Sequence, residues 1–417
     1  MHAGARRVAS HLVACARLCY CRRVLREVNL QRLERTISPH LRRGWTRAVF
    51  AAPQGDGTTP PPSAPAEQVV PGPGAGVPPT PEQLAALFTA ARSAANAGLV
   101  KHTYVIDETR RVQIDARHGR PSVRTLDEAA ARKVMGGKDR VLRPDASADL
   151  LRAIGIMNAD GSISATHARK YKQVNHLAEL CRPTWERLAA ARPRSAETPL
   201  RALDLACGNA YLSFVLAEVL RRESVPLRLH GVDVREDVVA RSRERAATLG
   251  MDGLSFARAS IAEAEASAAG ALGGPPDLVL ALHACDTATD EALALAIRLG
   301  VPAVLCVPCC QHELAAQLEK RDPGTAPVPA MLEHGLLRRA YADLLTDGLR
   351  VEILAACGYE VTVVEFVSSE HTAKNILLRA HRRHPYAPVD RDRWRLAPIA
   401  ERCAALGVSP DLLRRLG

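Results

Sequence analysis

The sequence predicts an α/β fold, with a doubly wound, mostly parallel seven-stranded sheet whose last strand is antiparallel, preceded by a smaller α+β accessory region. Three observations predict it. From residue 199 onward, short apolar runs alternate with helical patterns, as expected of parallel strands joined by crossover helices. The apolar run Leu200 to Leu205 leads through Asp204 into small residues, Ala206-Cys207-Gly208-Asn209-Ala210, and then into a helical pattern. That reads as a strand, a tight turn and a helix start. Finally, the last two strands are separated only by Val367 to Lys374. A right-handed crossover does not fit in so few residues, so these strands form an antiparallel hairpin.

The elements follow in order. After the strand Leu200–Leu205 comes a helix from Tyr211 to Leu220, then a second strand, Leu227 to Asp233, which also ends in an acid. A helix is expected from Arg235 to Leu249 and a third strand from Leu254 to Ile261. The fourth strand is Asp277 to Leu282, followed by a helix from Asp290 to Leu299 and a fifth strand from Ala303 to Val307. Leu336 to Cys357 reads as a helix, Glu360 to Phe366 as the sixth strand and Asn375 to Ala380 as the seventh. Upstream, Thr80-Pro81-Glu82 starts a helix, with Thr80 as N-cap and Pro81 in the first turn. Weak strand alternation follows in Thr103 to Asp107 and Arg111 to Asp115, then a helix from Asp145 to Ile154 and a turn at Asn158 to Gly161. The expected organisation is a basic arm over 1–50, a Pro/Gly-rich linker over 51–82, an accessory domain over 83–195, the main domain over 196–384 and a helical extension over 385–417.

Composition narrows the function. The 417 residues are 47% hydrophobic, enough for a large core, but only 4% aromatic, too few for a surface built on stacked bases. Eleven scattered cysteines fit a reducing, cytoplasmic setting. No apolar run approaches the roughly 18 residues of a membrane span. The net charge of +11 is concentrated at the start, where residues 1–50 hold eleven arginines against Glu27 and Glu34. The remainder is nearly neutral and supports a nucleic-acid partner only weakly. Val8 to Leu30 has the pattern of a basic amphipathic helix, which fits a targeting segment, an RNA-binding arm or an over-extended start. Arm and linker together are expected to be dispensable for stability.

The turn limits its own ligand. A dinucleotide site calls for G-x-G-x-x-G, whereas here Gly208 stands between Ala206 and Ala210, and no P-loop Lys-Ser/Thr follows. Asp204 would repel a phosphate and suits a cationic, amino-acid-bearing ligand. S-adenosylmethionine has an ammonium, a sulfonium and a ribose, and no phosphate. Asp233 is placed to accept hydrogen bonds from the ribose hydroxyls. The cofactor set is therefore Asp204, Ala206, Cys207, Gly208 and Asn209 of the turn, Asp233 and Val234 at the second strand end, Ser260 and Ile261 beside the adenine, and His283 at the fourth strand end.

Three further segments stand out: Leu282-His283-Ala284-Cys285-Asp286-Thr287-Ala288-Thr289-Asp290, Val307-Pro308-Cys309-Cys310-Gln311-His312-Glu313-Leu314, and Glu370 to Ala380. Together with the turn they resemble a bacterial family of class I, Rossmann-like SAM-dependent methyltransferases. They are also similar to the eukaryotic tRNA 2′-O-ribose methyltransferases that act on the acceptor stem, and to the methyltransferase domain of a glutathione-transferase-like eukaryotic protein. The resemblance covers about 165 to 381, with Arg169 to His176 as the family's leading helix. It implies methyl transfer from S-adenosylmethionine to RNA, either tRNA or rRNA.

Chemistry is expected at the carboxyl ends of the fourth and fifth strands. His283, Cys285, Asp286, Cys309, Cys310 and His312 gather there and form the candidate catalytic set. His283 or His312 would serve as a general base. Alternatively, a cysteine thiolate adds to a pyrimidine ring, Cys285, Cys309, Cys310 and His312 hold zinc, or the thiols simply pack the strand ends. No metal is expected at the site. The Asn/Asp-Pro-Pro-Tyr signature of exocyclic-amine methylation is missing after the fourth strand, and the acceptor-stem enzymes' zinc fingers are missing altogether. Transfer to a small molecule or a protein, and an inactive protein that keeps the fold, remain the alternatives.

Overall fold

The computed structural model describes residues 27–52, 67–107, 110–117, 121–125, 135, 140–282, 284–308, 311–326, 328–365 and 376–417. The chain divides into two compact units, 1–168 and 169–417.

The first unit holds α1 (Glu27–Leu41), β1 (Arg47–Ala51), β2 (Glu67–Pro71), α2 (Pro81–Asn96), β3 (Lys101–Val105), β4 (Arg110–Asp115), β5 (Pro121–Thr125) and α3 (Ala148–Ala153). The strands form an antiparallel sheet in the order β2-β1-β3-β4-β5. Thr80 caps α2 in a reciprocal capping box with Gln83, the helix start expected at that position.

The expected arm over 1–50 needs correction. Leu33, Ile37 and Leu41 of α1 recur every four residues, so they share one helix face. They are buried with Trp45, and with Ala48 and Phe50 of β1, against Leu87 and Ala91 of α2 and Tyr104 of β3. β1 lies inside the sheet, with Val49 paired to both Val69 and Thr103. The high arginine count hid this apolar period, because the arginines occupy the positions between the buried ones. The expected linker also contributes to the sheet, through edge strand β2. Residues 27–52 and 67–82 therefore help build the first unit, which also removes the expectation that arm and linker as a whole are dispensable.

The second unit begins within the long helix α4 (Ala165–Ala191). It continues with β6 (Leu200–Leu205), α5 (Tyr211–Arg222), β7 (Leu227–Asp233), α6 (Glu236–Thr248), β8 (Leu254–Arg258), α7 (Ala264–Leu272), β9 (Leu278–Ala281), α8 (Thr287–Leu299) and β10 (Ala303–Cys306). After β10 come α9 (Glu313–Glu319), α10 (Ala330–Glu333), α11 (Gly335–Ala356), β11 (Tyr359–Glu365), β12 (Ile376–Arg382), α12 (Ala397–Leu406) and α13 (Asp411–Leu416).

The seven strands run in the order β11-β12-β10-β9-β6-β7-β8. The five from β6 to β10 are mutually parallel, and β12 is antiparallel to both its neighbours. This is the doubly wound sheet with a reversed last strand that the sequence predicts. β9 and β10 are buried along their whole length, as central strands covered on both faces must be. The C-terminal segment is more than an extension: Ile399, Cys403, Val408 and Leu412 belong to the main hydrophobic core. No helix among the described residues is long and apolar enough to cross a membrane.

Candidate functional site

The turn after β6 keeps a glycine-rich geometry without the glycines. Ala206, Gly208 and Ala210 have φ of 53°, 54° and 52°, the left-handed region in all three cases. Only Gly208 adopts it without steric cost. Backbone bonds tie the turn to the neighbouring strand, since the Cys207 N–H donates to the Val232 carbonyl at 2.9 Å. The Gly208 N–H donates to Asp233 Oδ2 at 2.9 Å. The Arg235 N–H donates to Asp233 Oδ1 at 2.9 Å, with its Nε at 3.3 Å. The Ala259 N–H donates to the Asp233 carbonyl at 3.1 Å, which brings in the third strand end. Gly231 makes this possible: a Cβ there would sit 2.6 Å from the Phe256 ring and 3.3 Å from Cys207 Sγ.

The predicted cofactor residues thus divide. The turn, Asp233, Val234 and Ser260 lie at adjoining strand ends, whereas Ile261 is buried in the core. Val234 is 61% exposed, an apolar side chain left uncovered directly beside Asp233. Ser260 is held by Glu263, whose carboxylate accepts from both its N–H and its hydroxyl. Cys207 is buried, and burial pushes its thiol up, away from the reactive thiolate. Asp204 faces inward: it is 3% exposed and accepts a hydrogen bond from Ser213 of α5. Burial pushes its carboxyl up to about 7; the Ser213 hydroxyl opposes the shift and the charge of Asp233 adds to it.

Beside the turn, Tyr211 opens α5 with two cations against its ring, Lys170 Nζ at 4.5 Å from the centroid and Arg245 at 5.6 Å. Arg245 also donates to the Asn209 carbonyl at 2.9 Å. Arg169 and Lys172, on the same helix as Lys170, are exposed.

At the mouth of β9 and β10, His283, Cys309 and Cys310 lie outside the described residues, as do Glu370, His371 and Lys374 of the last hairpin. Among the described residues, no group of three His, Cys, Asp or Glu side chains could hold a metal. Cys285 and His312 are exposed. Asp286 joins the two strand ends, its Oδ1 accepting from the N–H of His312 at 2.9 Å and of Glu313 at 3.1 Å.

Sequence reasoning missed what lies beneath. Arg350 of α11 is buried, and its fork grips Asp290 with Nε at 2.9 Å and Nη2 at 2.7 Å. The same Nη2 donates to the Asp286 carbonyl at 3.1 Å, and Nη1 reaches Asp347 at 3.4 Å. Gln311, also buried, donates to Asp347. One signal was available: Asp347 and Arg350 stand at i and i+3 within an apolar helix pattern, where a charge at a core position calls for a partner.

Comparison with known proteins fits this architecture. Residues 169–317 match the model of a family described as a methyltransferase domain. The match covers β6 to β10 and the turn between β6 and α5, so the part of the chain that carries the site is the part that resembles a methyltransferase domain. The glutathione S-transferase C-terminal domain-containing proteins of Homo sapiens and Macaca fascicularis are each 24% identical to the chain over 241 residues, covering 52% of this chain and 34% of theirs. The chain thus spans about a third of the length of these curated relatives. Among solved structures, the SAH-bound methyltransferase PaMTH1 of Podospora anserina is 14% identical with a TM-score of 0.33, over 63% of this chain and 99% of that one. An rRNA methylase from Streptococcus thermophilus is 11% identical with a TM-score of 0.28, over 44% and 87%.

The donor chemistry of the site fits the cofactor. A carboxylate has about four lone-pair positions, and Asp233, though buried, uses only part of that capacity on the 208 and 235 amides and the Arg235 side chain, so acceptor capacity is left for ribose hydroxyls. The uncovered Val234 suits a flat, apolar base edge.

Proposed function

We propose that the protein transfers a methyl group from S-adenosylmethionine to RNA, tRNA or rRNA. The observation that carries the methyltransferase part is the left-handed turn at 206, 208 and 210, bonded through Gly208 to Asp233. The turn stands at the start of α5, with Asn209 exposed at its tip. Asp233 would hold the ribose, Val234 and Ser260 would flank the adenine, and the turn would receive the methionine end. The cofactor supplies an electrophilic methyl group on a sulfonium. When bound, it would offer its methyl carbon to in-line attack by an acceptor oxygen or nitrogen, the S–CH3 electron pair leaving with sulfur. His312, exposed at the mouth, takes the acceptor's proton in this reading, and positioning supplies much of the rate.

The RNA part rests on the motif resemblance and on the cations beside the turn. Exposed Arg169 and Lys172, with Lys170 and Arg245 around Tyr211, give a basic and aromatic edge suited to a phosphate backbone next to a base.

Calorimetry with S-adenosylmethionine tests the cofactor site. Asp233→Ala removes charge-assisted ribose contacts and should weaken binding by about 1.5–3 kcal/mol. Unchanged affinity in a folded variant removes Asp233 from the site. Mass spectrometry of RNA nucleosides, from cells with and without the gene, tests the substrate: one methylated nucleoside should disappear, and an unaltered profile argues for a small-molecule or protein acceptor. The chain is expected to act in the cytoplasm.

A further inference from the structure

Among the described residues of the mouth, Asp286 stands out for its backbone. Its φ of 54° and ψ of −127° lie where glycine is at ease and other residues are not. Such a conformation persists only where the surroundings hold it. Here both ends of the residue are held: the carboxylate by the amides of His312 and Glu313, the carbonyl by Arg350. Arg350 is in turn fixed by its bidentate grip on Asp290, only four residues further along the same chain segment. On the other side, Gln311 donates to Asp347, the second acid that Arg350 touches. The loop after β9 and the loop after β10 are therefore tied twice, above through Asp286 and below through Arg350, Asp347 and Gln311. The Thr289 hydroxyl adds a bond to the Ala284 carbonyl at 2.6 Å, which closes the turn around Asp286.

We infer that Asp286 and Arg350 form a clamp that presents the 311–313 segment, and His312 with it, to the acceptor. Asp286 is then a positioning residue, not a proton acceptor: its Oδ1 takes the two amide N–H groups at the start of α9, a role that needs an acceptor oxygen held in place. The strain at Asp286 is the geometric cost of turning its side chain across to the neighbouring strand end. The assignment rests on the methyl-transfer reading given above.

The test compares Asp286→Asn, Asp286→Ala and Asp286→Gly in the full chain. Asn keeps an acceptor oxygen. Gly loses it but adopts the backbone angles freely, so it remains informative if the Ala variant fails to fold. Two readouts are taken. The first is hydrogen exchange of the 312 and 313 amides in ligand-free protein, expected to be ~10-fold or more faster in Ala and Gly and restored in Asn. The second is methyl transfer, with kcat expected to fall ~10- to 100-fold in Ala and Gly, KM changed little, cofactor affinity unchanged and Asn close to wild type. Unaltered exchange in both Ala and Gly overturns the clamp. Faster exchange with normal kcat overturns the positioning role. A kcat lost in Asn as fully as in Ala overturns it too, and makes the ionised carboxylate itself the working group. Exchange is read without any acceptor, so a failure of the RNA reading shows separately, as absent transfer to RNA by the wild type.

Discussion

Replacing Asp204 by Asn should make the protein more stable at neutral and alkaline pH, by an amount that depends on pH in a defined direction. Asp204 is buried at the end of β6 and its carboxyl is pushed from 3.8 to about 7, chiefly by loss of hydration. That is roughly three pK units, and at about 1.4 kcal/mol per unit it corresponds to about 4 kcal/mol. The folded carboxyl is the more basic one, so between about pH 4 and pH 7 the folded chain holds a proton that the unfolded chain has released. Raising the pH through this window therefore favours unfolding, and above about 7 the full penalty is present. Asn is nearly the same shape, keeps an oxygen for the Ser213 hydroxyl and has no charge to bury. In urea titrations of wild type and variant across this range, stabilities should agree within about 1 kcal/mol near pH 4 and diverge to as much as about 4 kcal/mol near pH 8. The variant-minus-wild-type difference cancels every other titrating group to first order. A difference that stays flat from pH 4 to 8 would refute the argument and would mean that water or a cation reaches Asp204.

Other expectations follow from the backbone and the first unit. Ala206→Gly and Ala210→Gly each relieve about 1–2 kcal/mol of left-handed strain and give back about 0.4–1 kcal/mol in unfolded-chain entropy, so each should raise stability by roughly 0.5–1 kcal/mol in a denaturant titration; a loss would mean that the methyl groups pack usefully. Phe50→Ala should cost the first unit about 3–5 kcal/mol, because a buried ring is removed from the centre of its core. Deleting residues 1–82 should abolish that unit's cooperative melting by calorimetry, and an unshifted transition would show that β1 and β2 are not part of its core.

The second unit was legible because its signals are local. Apolar runs with helical spacing between them marked the strands and helices along the chain, and the eight-residue gap before Asn375 announced the hairpin. The turn was legible in outline, yet the dihedral angles of Ala206 and Ala210 were not: alanine prefers right-handed angles, and only the bonds to Val232 and Asp233 hold the turn against that preference. The first unit was misread where arginine density outweighed the four-residue apolar period of Leu33, Ile37 and Leu41. Helix α7 escaped notice because Ala264–Leu272 is mostly alanine and has little amphipathic contrast. The Arg350 network escaped for a different reason. Its members Asp286, Asp290, Gln311, Asp347 and Arg350 come from three separate segments; the i, i+3 spacing of Asp347 and Arg350 marks one segment, and no spacing connects the three.

The place of β12 between β10 and β11 has a consequence for how the chain is made. Ribosomes release the chain from its N-terminus, so β6 to β10 emerge while the strand that covers β10's outer edge has yet to be translated. About 70 residues separate Cys306 from Ile376, which at 5–20 residues per second is on the order of 4 to 14 seconds of synthesis. During that interval the wholly apolar strand Ala303–Cys306 has one unpaired side, and β11 has no neighbour to join. A nascent chain stalled or cleaved before Ile376 would thus keep a sticky sheet edge.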